Sequence, residues 1–404
     1  MPNNKIKRIL YVTTTLSKNW GGGEPIVAKE TIKSLKDIGY DVVETFYKSK
    51  LGDLFTRLFN EWRKTSDLSD SFYFSYLYYK RIIRREKPEI IIAQYDYDSS
   101  IIKAAYDEKK KIIIYVHIWW PTCPKITRLD YLGKICKGFT NNNCKVCLLK
   151  STKPKSIKGK LFKYNLLLLT NNRIQKKMKK RIDLLNKDNV TVVVLSQYMK
   201  DYLVTNGVSE GKIKIVPNGV SYNEFNSKNK SREKIVCYLG GESYTKGFQI
   251  FLKVAEIVKK RYSDIQFVAT GNYENKPAFV NFVGLLDRDK VMSLYTRSRC
   301  TVMPSIWDEP FPRVVLESMA AGTPVVAFNV GILNNIIHNG EGGFVVPLMA
   351  IDEMADKIIK ITNDDQLFSR LSENARRIVL EEFKEDKRVA LLNEIIKLNI
   401  NSSD

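Results

Sequence analysis

From one end of the chain to the other, short apolar runs alternate with longer stretches whose apolar positions recur at helical spacing. Runs that are apolar throughout, with no polar alternation, mark strands buried on both faces, as in a parallel sheet covered by helices. In the first half the pattern predicts strands at RILYVTT, YDVVETF, EIIIAQY, KIIIYVH, VTVVVLS and IKIVP. In the second half it predicts them at KIVCYLG, IQFVATG, AFVNFVG, CTVMPS, PVVAF and GFVVP. The expected fold class is α/β, with two doubly wound, Rossmann-like domains.

The stretch VPNGVSYNEFNSKNKSREK, Val216 to Lys234, opens on a Pro-Asn-Gly turn and continues as a polar run with little to bury, so it reads as the linker. The expected domains are residues 1–220, residues 221–380, and a closing helix over 381–404 that returns to the first domain. Helices are expected near 350–362 and 365–381, with KEDKRVALLNEIIKLN as the last amphipathic one.

Length agrees with two domains, since 404 residues exceed what one core usually fills. The longest apolar runs, such as IIIYV and LLLL, fall short of the roughly 20 residues a membrane-spanning helix needs. The basic N-terminus leads into a short, β-branched stretch without a small-residue cleavage site, which reads as a first strand. A cytoplasmic protein is expected, peripheral on the inner face of a membrane if its charge serves that end.

That charge is +22 and unevenly spread: between Lys145 and Arg181 stand thirteen Lys or Arg and no Asp or Glu. Such a field suits an anionic membrane surface, a phosphorylated substrate or a nucleic acid; a solvated helix face is the plain alternative. A nucleic-acid module would interleave exposed aromatics with the basic residues or present a helix-turn-helix, and neither pattern is evident, so no nucleic-acid partner is expected.

The chemistry concentrates in DEPFPRVVLESMAAGTPVVA, Asp308 to Ala327. Pro310 and Pro312 lack amide donors, so a helix can begin near Pro312 but cannot hold Glu309 in its body. Glu317 then falls on the second turn, and Gly322 with Pro324 ends the helix. A carboxylate on an apolar helix needs donors: the vicinal hydroxyls of a sugar would serve, and so would a neighbouring Arg. Upstream, YLGGESYTKGF sets Gly240 and Gly241 at a strand end and Lys246 at a helix start, where an ammonium can meet a phosphate or simply face solvent. Near the N-terminus, TTTLSKNWGGGEPIV gives strand, Gly-rich loop and helix; Gly22 and Gly23 would let backbone approach a phosphate, or form a surface turn.

With YTKGF before it, VGLLDRDKVMSLYTRSRCTVMPS leading in and AAGTPVVAFNVG following, this segment resembles the retaining glycosyltransferases of family 4, which have the GT-B fold of two Rossmann-like domains facing a central cleft. The resemblance implies a UDP- or GDP-linked sugar as donor, a hydroxyl of a lipid-linked or growing glycan as acceptor, and no metal required for catalysis. It assigns Glu309 to the donor sugar, Glu317 to the ribose, Lys246 to the diphosphate, the Val283 to Leu286 loop to the base, and Gly22 and Gly23 to the donor phosphates and acceptor edge. Phe311 and Arg313 are carried among the donor-binding residues with Gly240 and Gly241. His117, at the end of KIIIYVH, takes the place of a histidine that contacts the donor sugar; a packed core histidine is the alternative. Two departures stand out: Gly241 occupies a position where many members carry Arg, and Ile118 one where Asp often follows. The runner-up reading is a basic nucleic-acid- or membrane-binding protein on a degenerate GT-B fold.

Four of the six cysteines, Cys123, Cys136, Cys144 and Cys147, are spaced C-x12-C-x7-C-x2-C. That spacing can close a structural zinc site, with disulfides or free thiols as alternatives. Cys237 and Cys300 read as core residues of strands. YDYDS spells D-x-D after a strand, but nothing beside it supports a metal site, so it reads as a helix-capping loop.

Overall fold

The structure, a computed structural model, describes residues 7–13, 23–45, 71–94, 99–139, 143–151, 175–221, 225, 232–274 and 276–401. The chain forms two compact units, one of Met1–Val216 with Val389–Asp404 and one of Pro217–Arg388.

The first unit runs β1 (Arg8–Val12), α1 (Gly23–Asp37), β2 (Asp41–Thr45), α2 (Ser71–Glu86), β3 (Ile90–Gln94), α3 (Ser100–Asp107), β4 (Lys111–Val116), α4 (Asn143–Ser151), α5 (175–185), β5 (Val190–Val194), α6 (Gln197–Thr205) and β6 (Ile213–Ile215). Its strands form one sheet in the order β2-β1-β3-β4-β5-β6, every pairing parallel. Ile90, Ile91 and Ile92 are all fully buried although their side chains alternate between faces. Helices cover both faces, which is why these strands read as unbroken apolar runs.

The second unit runs β7 (Glu233–Tyr238), α7 (Phe248–Arg261), β8 (Gln266–Ala269), β9 (Val280–Phe282), α8 (Arg288–Arg297), β10 (Ser298–Met303), α9 (Arg313–Ala320), β11 (Val325–Phe328), α10 (Leu333–Ile337), β12 (Gly343–Val346), α11 (Ile351–Asn363) and α12 (Asp365–Glu382). Its sheet is also parallel throughout, in the order β12-β11-β10-β7-β8-β9. Ten of the twelve strands fall inside the runs expected from sequence, and β7 and β10 begin one and two residues before theirs. In each sheet the strand order reverses once, between β1 and β3 and between β7 and β10, and the carboxyl ends of strands at such a reversal are where open α/β sheets bind ligands.

The last helix, α13 (Glu385–Asn401), begins in the second unit and joins the first from Val389 onward. Its Leu392, Ile395 and Ile396 share a core with Ile9, Tyr11, Leu35 and Ile92. Polar bonds fix its rotation: Tyr40 donates to Asn393 Oδ1 at 2.8 Å and Thr191 to Asn399 Oδ1 at 2.9 Å.

The expected linker buries more than its polar composition suggests. Asn218, Val220 and Phe225 are all buried. The Val220 amide donates to the Phe383 carbonyl at 3.0 Å, and the Glu385 amide to the Val220 carbonyl at 3.2 Å. The start of this stretch is therefore a short strand-like pairing with the junction of α12 and α13, anchored by its few apolar residues. Tyr95 to Asp98 of the D-x-D stretch and most of the basic run, residues 152–174, lie outside the described residues. Ser99 stands at the N-cap of α3 but makes no side-chain cap bond there. Among the described residues no helix is long and apolar enough to cross a membrane.

The docking of α13 carries a prediction. Leu392→Ala removes a buried side chain from the first unit's core and should lower its stability by about 2–5 kcal/mol, read as a shift of the urea midpoint. Leu398→Ala, at a position 59% exposed on the same helix, should change it by less than about 0.5 kcal/mol.

Candidate functional site

Beyond β10 the chain turns through Ser305, Trp307 and Glu309 before Pro312, the N-cap of α9. Glu309 is only 1% exposed. One of its oxygens, Oε1, accepts from Lys246 Nζ at 2.7 Å, from Ser305 Oγ at 2.6 Å and from the Trp307 indole. An ionised carboxylate this deep is tolerable only with such donors, because its desolvation would otherwise cost several kcal/mol. The main chain is held as well: the Ile332 amide donates to the Glu309 carbonyl at 3.1 Å. At Gly331, with φ +55°, a Cβ would lie 2.0 Å from that same carbonyl oxygen. Only glycine lets the loop after β11 press so closely on Glu309.

Lys246 reaches Glu309 from the loop after β7, the strand on the other side of the reversal. Tyr238, the last residue of β7, braces that loop by donating to the Gly241 carbonyl at 3.0 Å and the Lys246 carbonyl at 3.4 Å. Burial, with Tyr273 and Glu309 nearby, pushes the Tyr238 phenol well above its ordinary pKa, so it remains a donor. The two loops touch directly: the Ile306 amide donates to the Thr245 carbonyl at 3.0 Å. At Gly247, φ +73°, a Cβ would fall 1.8 Å from the Pro304 carbonyl oxygen. Lys246 keeps 32% of its side chain exposed, with its ammonium 4.9 Å from the Trp307 ring centroid. It is the open side of an otherwise closed cluster.

Glu317 lies on the second turn of α9 and is 5% exposed. Its Oε1 accepts from Arg313 Nε, one turn back, at 2.7 Å, and from Arg288 Nη1. Arg288 is the first residue of α8, a helix capped by Asp287, whose side chain accepts from the Lys290 amide at 2.9 Å. Behind both helices, Arg232 binds their last carbonyls: Tyr295 at 2.9 Å and Ser298 at 3.0 Å from α8, and Ala321 at 2.5 Å from α9. Burial, with Arg376 close by, pushes the Arg232 guanidinium down to about 10. A cation at two helix C-termini is favourable to both dipoles, and here it locks together the helices that carry Arg288 and Glu317.

The remaining expected residues are placed as follows. Val283 leads out of β9 with its amide on the Ala269 carbonyl at 3.0 Å, and Leu286 is half-buried. Gly240 lies against the Tyr238 ring, while Gly241, at φ +61°, has open space around it. Phe311 is buried with its ring edge-on to Phe383, centroids 5.7 Å apart, and so packs inward. In the first unit, His117 directly follows β4, is 7% exposed and stacks on Tyr115 at 5.3 Å. Gly23 is the first residue of α1; Gly22 lies outside the described residues. Cys237 and Cys300 are buried in strands as expected. Among the described residues, no group of three His, Cys, Asp or Glu stands at metal-holding spacing.

The fold thus brings Lys246 to Glu309 and Arg313 to Glu317. Sequence reasoning missed Ser305, Trp307, Tyr238 and Arg288. The first two were legible in SIWDEPF, as a hydroxyl and an indole four and two residues before the carboxylate. Arg288 meets Glu317 across 29 residues of chain, and no local pattern announces it.

Comparison with known proteins accords with this geometry. Residues 221–378 match the family described as glycosyl transferases group 1, and residues 22–224 match glycosyltransferase family 4. The chain is 30% identical over 153 residues to an alpha-D-kanosaminyltransferase of Streptomyces kanamyceticus, covering 35% of this chain and 39% of that one. It is 25% identical over 209 residues to a UDP-Gal:alpha-D-GlcNAc-diphosphoundecaprenol alpha-1,3-galactosyltransferase of Escherichia coli, covering 46% and 54%. The matches therefore span about half or less of these relatives' lengths. Among solved structures, an Anabaena protein in complex with UDP-glucose superposes with a TM-score of 0.65 at 15% identity, covering 98% of this chain and 99% of that one, a likeness of fold. With family matches running from residue 22 to residue 378 over two six-stranded Rossmann-like units, the chain belongs to the group 1, family 4 glycosyltransferases.

Proposed function

We propose that this protein transfers a sugar from a UDP- or GDP-linked donor to a hydroxyl of a lipid-linked or growing glycan, with retention of anomeric configuration. The observation that carries the reading is the meeting of Lys246 with buried Glu309 at the strand-order reversal of the second unit. Such a place pairs a movable cation with a fixed carboxylate. On this reading Lys246 turns from Glu309 to the donor's diphosphate, beside the first-turn amides of α9, which favour an anion. Negative charge builds on that diphosphate as the sugar leaves and takes on positive character at its anomeric carbon. Donors already aimed at the phosphate lower the barrier most. Glu309, still held by Ser305 and Trp307, keeps its place beside the sugar. Glu317 exchanges an arginine partner for the hydroxyls of the ribose. Two names support the substrate class: the Anabaena neighbour was solved with UDP-glucose, and the Escherichia coli relative uses a UDP-sugar and a diphosphoundecaprenol acceptor. No metal is needed for this chemistry, since protein cations and amides face the phosphate.

The basic run between Lys145 and Arg181 would hold the protein on an anionic membrane, where a lipid-linked acceptor resides. Sedimentation should recover the protein with anionic vesicles at low salt and not with neutral ones; equal recovery removes this part of the reading.

Binding and turnover should separate at the two carboxylates. A thermal-shift series over UDP- and GDP-sugars should reveal one base that stabilises the protein, by about 2.7 kcal/mol at 100 times its Kd. Glu317→Gln should erase that shift. Glu309→Gln should leave it in place and lower kcat by about 10²–10³-fold. A Glu309→Gln protein that transfers sugar at the parent rate would end the proposal.

Lys246→Met should weaken UDP binding by about 1.5–3 kcal/mol, the worth of one charge-assisted bond. The anomeric configuration of the product, read by proton NMR at the first turnover, tests retention.

A further inference from the structure

In its first half, the helix α2 carries large apolar side chains on two opposite sides, and one of these sides is already used. Ser75, Tyr79, Ile82 and Ile83 are buried. They recur at i, i+4, i+7 and i+8, the spacing of a single face packed on the first unit. Polar bonds fix the helix on that unit: Thr45 and Tyr78 share a hydrogen bond of 2.7 Å, Tyr76 donates to Asp107 Oδ2 at 2.6 Å, and Arg8 Nη1 donates to the Glu86 carbonyl at 3.3 Å. The opposite face is therefore presented to its surroundings on a rigid support.

On that face Tyr73 is 63% exposed, Phe74 54% and Leu77 43%, with the first two rings edge-on at 6.0 Å between centroids. Three large apolar side chains within five residues of a water-facing helix mark a place of contact. Tyr73 and Leu77 are continued by Arg81 and Arg84 at i+8 and i+11, and Phe74 by Arg85. The face is thus divided along its length, apolar first and basic after. Its acids lie underneath. Arg84 pairs with Glu108 at 2.9 Å and Arg85 with Glu86 at 2.6 Å, yet the arginine side chains are 64% and 66% exposed and the carboxylates only 15% and 17%. Among the described residues Arg81 pairs with no acid.

A partner for this face must be apolar at one end and anionic at the other, within the about 18 Å of helix from Tyr73 to Arg85. A second copy of the chain offers the same face and no well-exposed acid to meet the arginines. The interface of an anionic bilayer offers both properties at that separation: aromatic and aliphatic side chains settle at the boundary of headgroups and acyl chains, and arginines reach up to the phosphates. We propose that the outward face of α2 docks on an anionic lipid bilayer, with Tyr73, Phe74 and Leu77 entering the interface and Arg81, Arg84 and Arg85 meeting lipid phosphates. The helix lies in the interface and does not cross it. This deepens the membrane part of the proposed function and is independent of the transfer chemistry.

The test uses the full chain and vesicles of phosphatidylglycerol mixed with phosphatidylcholine, or of phosphatidylcholine alone. Tyr73→Ser/Phe74→Ser/Leu77→Ser should weaken sedimentation with the anionic vesicles by about 100-fold. Arg81→Gln/Arg85→Gln should weaken it by about 30-fold. Both variants should melt at the parent temperature, since the altered side chains are exposed. Leu77→Trp supplies a reading that does not depend on lost binding: relative to the parent, its added indole emission should shift to the blue on anionic vesicles and be quenched by brominated lipid. Every variant keeps the basic run between Lys145 and Arg181, so failure here leaves the role of that run, and the sugar-transfer reading, untouched. The proposal is overturned by a triple variant that sediments as the parent does, by an added indole indifferent to brominated lipid, or by a parent that dimerises without lipid where the triple variant stays monomeric. A triple variant that loses stability while binding vesicles normally also overturns it, and assigns the face to packing within the chain.

Discussion

A carboxylate buried to 99% must be answered by donors, and the requirements of Glu309 organise the second unit. Its ammonium partner comes from the loop after β7 and its backbone clamp from the loop after β11, while the acid itself follows β10. Three neighbouring strands thus end on one side chain. That convergence is possible because β10 lies between β11 and β7 in the sheet, so the loops that leave all three strands emerge side by side and meet. Gly247 and Gly331 are the conformational cost of bringing backbone so near, each in a left-handed geometry with no space for a Cβ.

The second carboxylate is solved differently. Glu317 sits in a helix that is otherwise apolar, yet its charge is met by two arginines, one from its own preceding turn and one from α8. Arg313 is 5% exposed at its side chain and is fixed; Arg288 is 31% exposed and can move. Since Arg232 binds the far ends of both helices, a shift of Arg288 need not disturb the helices themselves. The pocket around Glu317 can change partners without unfolding anything.

Much of this was legible in the sequence, for identifiable reasons. Strands buried on both faces appear as runs such as EIIIAQY, and each of the twelve was found where the run stood. The start of α9 followed from Pro312, which fixes its own backbone and has no amide to satisfy. Tertiary partners were not legible. Glu317 could be seen to need a donor, and both a sugar diol and an arginine fitted the need; which arginine answers depends on how α8 packs beside α9. Phe311 looked like a site residue by its position beside Glu309, and only the fold shows its ring turned to Phe383. The linker misled because composition averages hid Val220 and Phe225, two apolar residues sufficient to pin its start.

The missing cation at Gly241 sharpens the chemistry of the proposed reading. With no side chain at that position, Lys246 is the ammonium of the β7 loop that remains to meet a diphosphate, and in the unliganded protein it is already committed to Glu309. The donor must therefore compete with a buried carboxylate for its own counter-ion. That exchange is feasible because Glu309 does not depend on Lys246 alone: Ser305 and Trp307 still donate to the same oxygen. Once the lysine turns away, the carboxylate loses a positive neighbour but keeps its orientation, which leaves it more electron-rich at the point where a sugar developing positive charge would stand. Ligand binding and activation of the acid then become one movement of one side chain.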